Sequence, residues 1–308
     1  MKPLTGQTEL LAVIADIDPL RDLAPETLRY QRLGGLTNRV FRITNNSNAW
    51  VLRLAGEGTE EYIDRHVEAH NAQVAADAGV SAEVLHVDVQ TGLMLTRYLE
   101  GTETMSAKLF RQRPGAPARA GQAFRRLHDY EGEFKFQFRL FDMINDYREF
   151  LARRQAQLPT GYEDIVAEAL KIKSLIDKRP IQSRSCHCDP LCENFLDDGE
   201  KMWIVDWEYS GMNDPYWDLG DLSVEGEFNE AQDREMMLSY EGRDVPDWAM
   251  ARMVVYKAMC DLLWTLWGLI QHVNNNPAED FWAYAENRFN RCKKLMQEED
   301  FILHLRNL

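Results

Sequence analysis

The strongest constraint on the fold is a change of pattern near residue 100 of this 308-residue chain. Between residues 28 and 99, short runs of alternating apolar and polar residues are separated by Gly- and Asn-rich turns, which predicts antiparallel strands. Beyond residue 101, nearly every segment has helical periodicity. The sequence therefore predicts an α+β fold with two lobes: a five-stranded antiparallel sheet with one main helix, followed by a mainly helical lobe.

This pattern divides the chain into an N-terminal extension (1–27), a first lobe (28–99) and a second lobe (100–308). The first lobe is predicted to contain a helix over residues 60–78 and strands over residues 28–33, 39–44, 49–54, 83–89 and 93–99. In the second lobe a short hairpin is expected around residues 197–199, and the expected helices cover residues 117–130, 141–157, 161–177, 229–240, 247–273 and 278–297.

Charge and composition exclude several classes of partner. The formal net charge is −15, and nucleic-acid binding requires clustered Lys and Arg, so we expect no nucleic-acid partner. No stretch approaches the roughly 18 apolar residues that a membrane-spanning helix requires, so we expect no stable membrane insertion. The five cysteines do not form a disulfide framework, and no secretory signal is visible, which predicts a cytoplasmic protein. A homodimer is one possible assembly, which the sequence does not decide.

One segment, HCDPLCEN (187–194), combines residues suited to phosphoryl transfer and precedes a short apolar strand that ends at Asp206. Transfer to a hydroxyl requires a carboxylate that orients or deprotonates it, and oxygen ligands for the Mg²⁺ that accompanies ATP. Asp189 supplies the base, and Asn194 and Asp206 supply the metal ligands. Any one of these residues alone is more often a turn former. The joint pattern predicts an enzyme that uses ATP and Mg²⁺.

The same residues resemble the motif of the aminoglycoside phosphotransferase and choline kinase superfamily, which shares the two-lobed fold of protein kinases. The resemblance covers about residues 30–295 and implies the roles just given to the carboxylates and the amide. It also implies that His187 braces the catalytic loop. Cys188 departs from the pattern, because many members carry Asn there.

The first lobe contains the expected nucleotide-binding elements. The segment GGLTN (34–38) is similar to the nucleotide loop of choline kinases, and the resemblance implies that Gly35, Thr37 and Asn38 lie near the phosphates. Glycines allow close approach of the backbone to phosphate, and backbone amides can donate to its oxygens. A Gly-Gly pair between strands is on its own only a hairpin signal.

Two more nucleotide-binding features follow from the resemblance. Arg53 lies in the strand VLRL (51–54), where protein kinases carry their phosphate-binding Lys and choline kinases use Arg. Glu68, in the next helix, is its expected ion-pair partner. The alternatives are an exposed strand arginine and a solvated helix face. Residues 96–101, with Tyr98, form the expected hinge for adenine.

The acceptor pocket is predicted from three segments. In YWDLGDLSVE (216–225), the resemblance to choline kinases places Glu225 at the amine pocket. Trp264 and Trp267 are three residues apart on one helix face, and Tyr284 lies on the next helix. In choline kinases such a pair and such a tyrosine form a cage around the ammonium group. A trimethylammonium group cannot donate hydrogen bonds, so aromatic faces and a nearby carboxylate are suited to hold it.

Without this context, two tryptophans at helical spacing are more often core packing. A further departure is Asp221, where many members carry Asn, which adds a charge near the pocket. The sequence thus predicts a Mg·ATP-dependent kinase whose partner is a small cationic amino alcohol, choline or ethanolamine. A related kinase of thiamine, an amino sugar or a methylthio sugar is the nearest alternative. A catalytically silent amine-binding module is the alternative from another class, and the intact base and metal ligands oppose it.

Overall fold

The structure is a computed structural model and describes residues 7–34, 38–56 and 63–308. The chain divides into two compact units. The first comprises Met1–Gly101 and Asp206–Glu208, and the second comprises Thr102–Val205 and Tyr209–Leu308. A five-stranded antiparallel sheet in the first unit and helices through most of the second confirm the predicted α+β fold class.

The first unit is built on a single sheet with strand order β1-β2-β3-β5-β4, and every neighbouring pair is antiparallel. Its elements are α1 (Gln7–Ala15), β1 (Arg29–Gly34), β2 (Arg39–Thr44), β3 (Ala49–Leu54), α2 (Arg65–Asp77), β4 (Val84–Asp88) and β5 (Leu93–Arg97). Helix α2 begins after Asp64, whose carboxylate accepts hydrogen bonds from the amides of His66 and Val67. Residues 60–62 of the predicted helix lie outside the described residues.

The N-terminal segment differs from the extension that the sequence predicts over residues 1–27. Leu10 and Ile14 of α1, with Ile17 and Leu20, are buried in one cluster with apolar side chains of the sheet, such as Leu52. Leu10 and Ile14 are four residues apart and so share one face of α1, and Ile17 and Leu20 follow in the turns after it, so this segment covers the sheet. The described part of the segment therefore contributes to the core of the first unit.

The second unit is mainly helical and contains two small sheets, β10-β7 and β6-β8-β9. The predicted hairpin around residues 197–199 is formed by β8 and β9. The unit's elements are β6 (Glu103–Thr104), α3 (Ala107–Gln112), α4 (Ala116–His128), α5 (Leu140–Arg153), α6 (Tyr162–Ile176), β7 (Arg184–Cys186), β8 (Phe195–Asp197), β9 (Met202–Ile204), β10 (Gly211–Asn213), α7 (Pro215–Glu225), α8 (Glu230–Glu241), α9 (Asp247–Val273), α10 (Phe281–Gln297) and α11 (Glu299–Asn307).

Helix α9 forms the centre of the second unit and has the predicted bounds. It is long and apolar enough to cross a membrane, but 83% of its most apolar window is buried inside the protein, as in a core helix. Two glycines allow other helices to approach it closely. A Cβ on Gly220 of α7 would lie 2.6 Å from the carbonyl oxygen of Met253, and a Cβ on Gly268 would lie 2.6 Å from the ring of Tyr284. These contacts bring α7, α9 and α10 together around one group of side chains.

Candidate active site

One buried carboxylate, that of Asp218, holds the loop that carries Asp189 in place. Asp218 of α7 accepts the amide of His187 at 2.7 Å and the amide of Cys188 at 2.8 Å, and His128 lies 3.0 Å from the same group. Trp217 also donates its indole N–H to the carbonyl oxygen of Cys188 at 3.0 Å. Because Asp218 and Trp217 share a helix, α7 fixes the backbone just before Asp189.

The second half of the loop folds back on the first. Asn194 donates its side-chain amide to the carbonyl oxygen of Asp189 at 3.1 Å, and its own carbonyl accepts the amide of Val205 at 2.9 Å. The His187 ring lies 3.0 Å from the carbonyl oxygen of Val205. Cys188 has φ +67°, a left-handed conformation that Asn tolerates better than most residues. An Asn would therefore fit this backbone conformation at least as well as Cys.

In the first unit the structure brings Arg53 and Glu68 together as an ion pair. Arg53 also lies 3.5 Å from Glu208 and 3.9 Å from Asp206, and it donates to the carbonyl oxygen of Gly92 at 3.1 Å. Burial opposes the charge of Arg53, but the nearby carboxylates, Glu68 first, more than offset this and raise its pKa. Arg53 is therefore a fixed positive charge beside Asp206.

A second arginine completes this cluster. Arg65 donates to Glu68 at 2.7 Å and to Glu208 at 2.6 Å, so two guanidinium groups lie against two buried carboxylates. Asp206 is the more open member, with 38% of its side chain exposed. Carboxylate oxygens of Asp206, Glu68 and Glu208 lie within 4.8 Å of one another. We call these five residues the first-unit charge cluster.

Two of the other predicted nucleotide-binding residues, Asn38 and Tyr98, are in the same unit. Asn38 is buried and accepts the amide of Gly56 at 3.1 Å, which ties the start of β2 to the end of β3. Gly35 and Thr37 lie outside the described residues. Tyr98 donates its amide to the carbonyl oxygen of Ala49 at 3.1 Å, and the guanidinium of Arg42 lies over its ring at 4.0 Å.

Aromatic rings from three segments of the second unit meet edge to face. Trp264 and Trp267 of α9 lie 6.3 Å apart, Tyr209 lies 5.5 Å from Trp264, and Tyr284 of α10 lies 5.8 Å from Trp267. The indole N–H of Trp267 donates to the hydroxyl of Tyr209 at 3.1 Å. We call these four residues the aromatic cluster, and it includes all three aromatic residues that the sequence predicts for the acceptor pocket.

Glu225 lies beside this cluster but already has positive partners. It forms an ion pair with Arg288, and Arg291 lies 3.5 Å away. The same two arginines bind Asp261 of α9, Arg291 at 2.6 Å and Arg288 at 3.3 Å. The guanidinium of Arg288 also lies 4.9 Å from the centre of the Tyr284 ring. The predicted carboxylate is thus part of a buried ionic network.

Asp221 connects the network to the aromatic cluster. It is fully buried and accepts the Trp264 indole N–H at 3.4 Å and the Cys260 thiol at 2.9 Å. Burial raises the pKa of Asp221 well above its usual range, and the negative charges of Glu225 and Asp189 raise it further. Within the second unit, Asp221 therefore interacts both with the carboxylate of Asp189 and with the aromatic cluster.

Comparison with known proteins identifies the family. Residues 30–254, which make up more than half of the chain, match the sequence profile APH of the phosphotransferase enzyme family. The chain belongs to the phosphotransferase enzyme family. This membership confirms the resemblance and the enzyme class that the sequence predicts.

Individual relatives of this phosphotransferase cover nearly its whole length. A choline/ethanolamine kinase family protein from Mesorhizobium loti is 54% identical, with a TM-score of 0.90 over 97% of this chain and 98% of that chain. The choline kinase LicA from Streptococcus pneumoniae is 25% identical, with a TM-score of 0.76 over 94% and 99%. Protein LicA of Haemophilus influenzae is 26% identical over 284 residues, 90% of this chain and 82% of that protein.

The sequence alone did not predict several residues that contact the predicted site residues. They are the partners that hold the predicted residues in place: Arg65, His128, Glu208, Tyr209, Asp218, Asp261, Arg288 and Arg291. One signal was available on α10, where Tyr284, Arg288 and Arg291 are spaced four and three residues apart and so share a face. The remaining contacts join residues far apart in sequence, which periodicity does not reveal.

Proposed function

We propose that this phosphotransferase is a Mg·ATP-dependent kinase of the hydroxyl group of choline or ethanolamine. The observation that carries the proposal is the aromatic cluster, which lies beside buried carboxylates in the unit that also carries Asp189. Aromatic faces near a carboxylate suit a quaternary or primary ammonium group, whose positive charge an uncharged sugar lacks. The names of the relatives support the same acceptor class.

In this proposal Asp189 is the general base. Its carboxylate would accept the proton of the acceptor hydroxyl, or orient that hydroxyl, as the oxygen attacks the terminal phosphate of ATP. The bonds from Asp218 to the two preceding amides hold the loop in position, so little rearrangement is needed during the reaction. His187 would support the loop through its contact with Val205.

The donor groups fit Mg²⁺, which binds oxygen ligands. Asn194 uses its side-chain NH₂ group on the carbonyl oxygen of Asp189, which leaves the amide oxygen as the ligand atom. Asp206 adds a partly exposed carboxylate. Bound Mg²⁺ would neutralise charge on the ATP phosphates. Arg53, held by Glu68, would contribute a fixed positive charge for the same phosphates.

We propose that residues 28–99 bind the nucleotide and that residues 100–308 bind the acceptor. A cytoplasmic location fits the five free cysteines, all of which are buried. ATP-dependent chemistry on a small metabolite fits the same compartment.

An ADP-release assay with Mg·ATP tests the acceptor. Choline, ethanolamine, thiamine and kanamycin are offered separately to the purified protein. We expect turnover with choline or ethanolamine and none with kanamycin. Thiamine as the best acceptor would replace the proposed substrate, and no turnover with any acceptor would favour a binding module.

A further inference from the structure

The ionic network behind the aromatic cluster is one positive charge short. Three carboxyl groups, those of Asp221, Glu225 and Asp261, lie close to two guanidinium groups, those of Arg288 and Arg291. Both guanidiniums lie within 3.5 Å of Glu225 and of Asp261. The positive charges are therefore committed to two of the three carboxyl groups.

Asp221 is the carboxyl group left over. In the part of the chain that the structure describes, its side chain is fully buried and forms no ion pair within 4.0 Å. Its oxygens accept hydrogen bonds from Cys260 and Trp264, both uncharged donors. An ionised carboxylate is costly to bury without a positive partner, so burial favours the protonated form of Asp221.

The groups that face Asp221 from each neighbouring element act mainly in the same direction. Glu225 on its own helix and Asp189 on the catalytic loop are negative and favour the protonated form, whereas the hydrogen bond from Cys260 on α9 and the charge of Arg288 on α10 oppose it. Arg288 is already paired with Glu225. Three thiols among the described residues, those of Cys188, Cys192 and Cys260, also lie near Asp221, and burial keeps them protonated.

The hydrogen bond between Trp264 and Asp221 connects the carboxyl group that lacks an ion-pair partner to the aromatic cluster. A cation held on the face of Trp264 would lie next to Asp221 and would supply the positive charge that the network lacks. A neutral molecule of the same shape would gain the ring contacts but would leave Asp221 protonated.

We propose that Asp221 is a specificity-determining residue of the acceptor pocket, which selects a positively charged acceptor and releases its proton when that charge arrives. The inference rests on the proposed function, because it takes the aromatic cluster as the acceptor pocket. The O–H bond of the Asp221 carboxyl group breaks, the proton passes to the solvent, and the charge of the ligand balances the carboxylate. Binding of a cation is then coupled to the release of one proton.

This coupling predicts a pH dependence with a definite sign. A bound cation lowers the pKa of Asp221, so affinity rises with pH until Asp221 is ionised in the free protein. Below that point the affinity falls by up to about tenfold per pH unit, and above it the affinity is constant. The neutral carbon analogue of choline, 3,3-dimethyl-1-butanol, should bind without this dependence.

Isothermal titration calorimetry in buffers of different ionisation enthalpy counts the released protons. The probes are choline, tetramethylammonium and 3,3-dimethyl-1-butanol, and the proteins are the wild type, Asp221→Asn and the surface control Glu286→Gln. We expect the wild type and the control to release about one proton per cation below the free-protein pKa of Asp221. Asp221→Asn should release none and should discriminate less between choline and its neutral analogue.

The outcomes separate this inference from the proposed function. Proton release on binding tetramethylammonium, without phosphorylation of any acceptor, would support the inference and refute the kinase assignment. Phosphorylation of choline with equal proton release from wild type and Asp221→Asn would do the reverse. If Asp221→Asn does not fold, the wild type alone decides, because equal proton release with choline and with 3,3-dimethyl-1-butanol overturns the inference.

Discussion

The two units each contain a buried group of arginines and carboxylates, and the two groups differ in which carboxylate is unmatched. In the first-unit charge cluster, the two guanidiniums lie against Glu68 and Glu208, and the additional carboxylate, Asp206, is partly exposed. In the second unit the additional carboxylate, Asp221, is fully buried beside Trp264.

This difference predicts that the two groups suit different kinds of cation. A partly exposed carboxylate can bind an ion that keeps some of its water, as Mg²⁺ does. A closed carboxyl group behind aromatic faces suits an organic cation that has lost its water. A third group provides a contrast, because Arg113 and Arg119 lie against Glu103 and Asp197 with no carboxylate left over. We expect that balanced group to be structural.

The largest effect on kcat should come from substitution of Asp189, which belongs to neither group of arginines and carboxylates. Asp189→Asn should lower kcat on the order of 10²- to 10⁴-fold, because the general base is lost, while choline still binds. Steady-state kinetics and calorimetric binding of choline measure the two effects. Glu193→Gln, which changes an exposed carboxylate in the same loop, is the control and should remain active. Transfer by Asp189→Asn within tenfold of the wild type would contradict the base assignment.

The next effect should be confined to the nucleotide. Arg53→Gln removes the arginine that lies beside Asp206, and Arg65 remains to neutralise Glu68 and Glu208. A hydrogen bond to a charged group contributes about 1.5–3 kcal/mol, so we expect the KM for ATP to rise roughly 10- to 150-fold. The KM for choline should stay nearly constant. Arg65→Gln is the matched control, with a smaller change in the KM for ATP. Equal increases in both KM values for Arg53→Gln would break the comparison between the units.

A smaller effect should be confined to the acceptor. Trp264→Leu removes a ring worth about 0.5–2 kcal/mol to a bound cation, so the KM for choline should rise roughly 2- to 30-fold while the KM for ATP is unchanged. Trp264→Phe keeps a ring but loses the N–H donated to Asp221, and its effect should be smaller. Phe289→Leu controls for lost packing, because Phe289 packs against Tyr162 in the core. A Phe289→Leu variant with the same kinetic change would show that Trp264 acts only through packing.

The balanced group should affect stability and not transfer. Burial opposes the ionised form of Asp197, but Arg119 and Arg113 lower its pKa below the usual value. Its ionised form therefore stabilises the fold above about pH 4, and this contribution is lost as pH falls through the folded-state pKa.

We expect Asp197→Asn to lower Tm at pH 7 by roughly 5 °C, with the difference from wild type shrinking below about pH 4. Thermal melting across this pH range measures it, and Glu200→Gln, an exposed change in the same hairpin, is the control. A change in the KM for choline would mean that the group is not purely structural.

Periodicity predicted the fold because local pattern and burial agree along most of the chain. The strands β2 and β3 and the helix α9 have the predicted bounds. The segment 216–225 was interpreted only as a motif, yet it is helix α7, whose start is marked by the Asp214 cap and Pro215. The amphipathic pattern of a helix is missing there, since every residue of α7 from Pro215 to Val224 is buried, including the polar residues Asp218 and Asp221.

The candidate site was predicted in part. The groups proposed to react or to bind the metal follow from residue type and spacing, as with Asp189 and Asn194. The partners that set their charge do not, because Arg65 and Glu208 are 143 residues apart, and so are not linked by any local period. For the same reason the pairing of Glu225 with Arg288 was not expected, because 63 residues separate them.

Helix α7 holds the loop of Asp189 through Asp218 and carries Asp221 and Glu225 farther along the same rod. The rise of an α-helix is about 1.5 Å per residue, so the seven residues from the first to the last of these span roughly 10 Å. In the proposed function, α7 would therefore set the distance between the site where the acceptor hydroxyl reacts and the site where its positive charge is bound. Acceptors would then be selected by the length of the linker between their two ends, and a residue inserted in α7 would change that length.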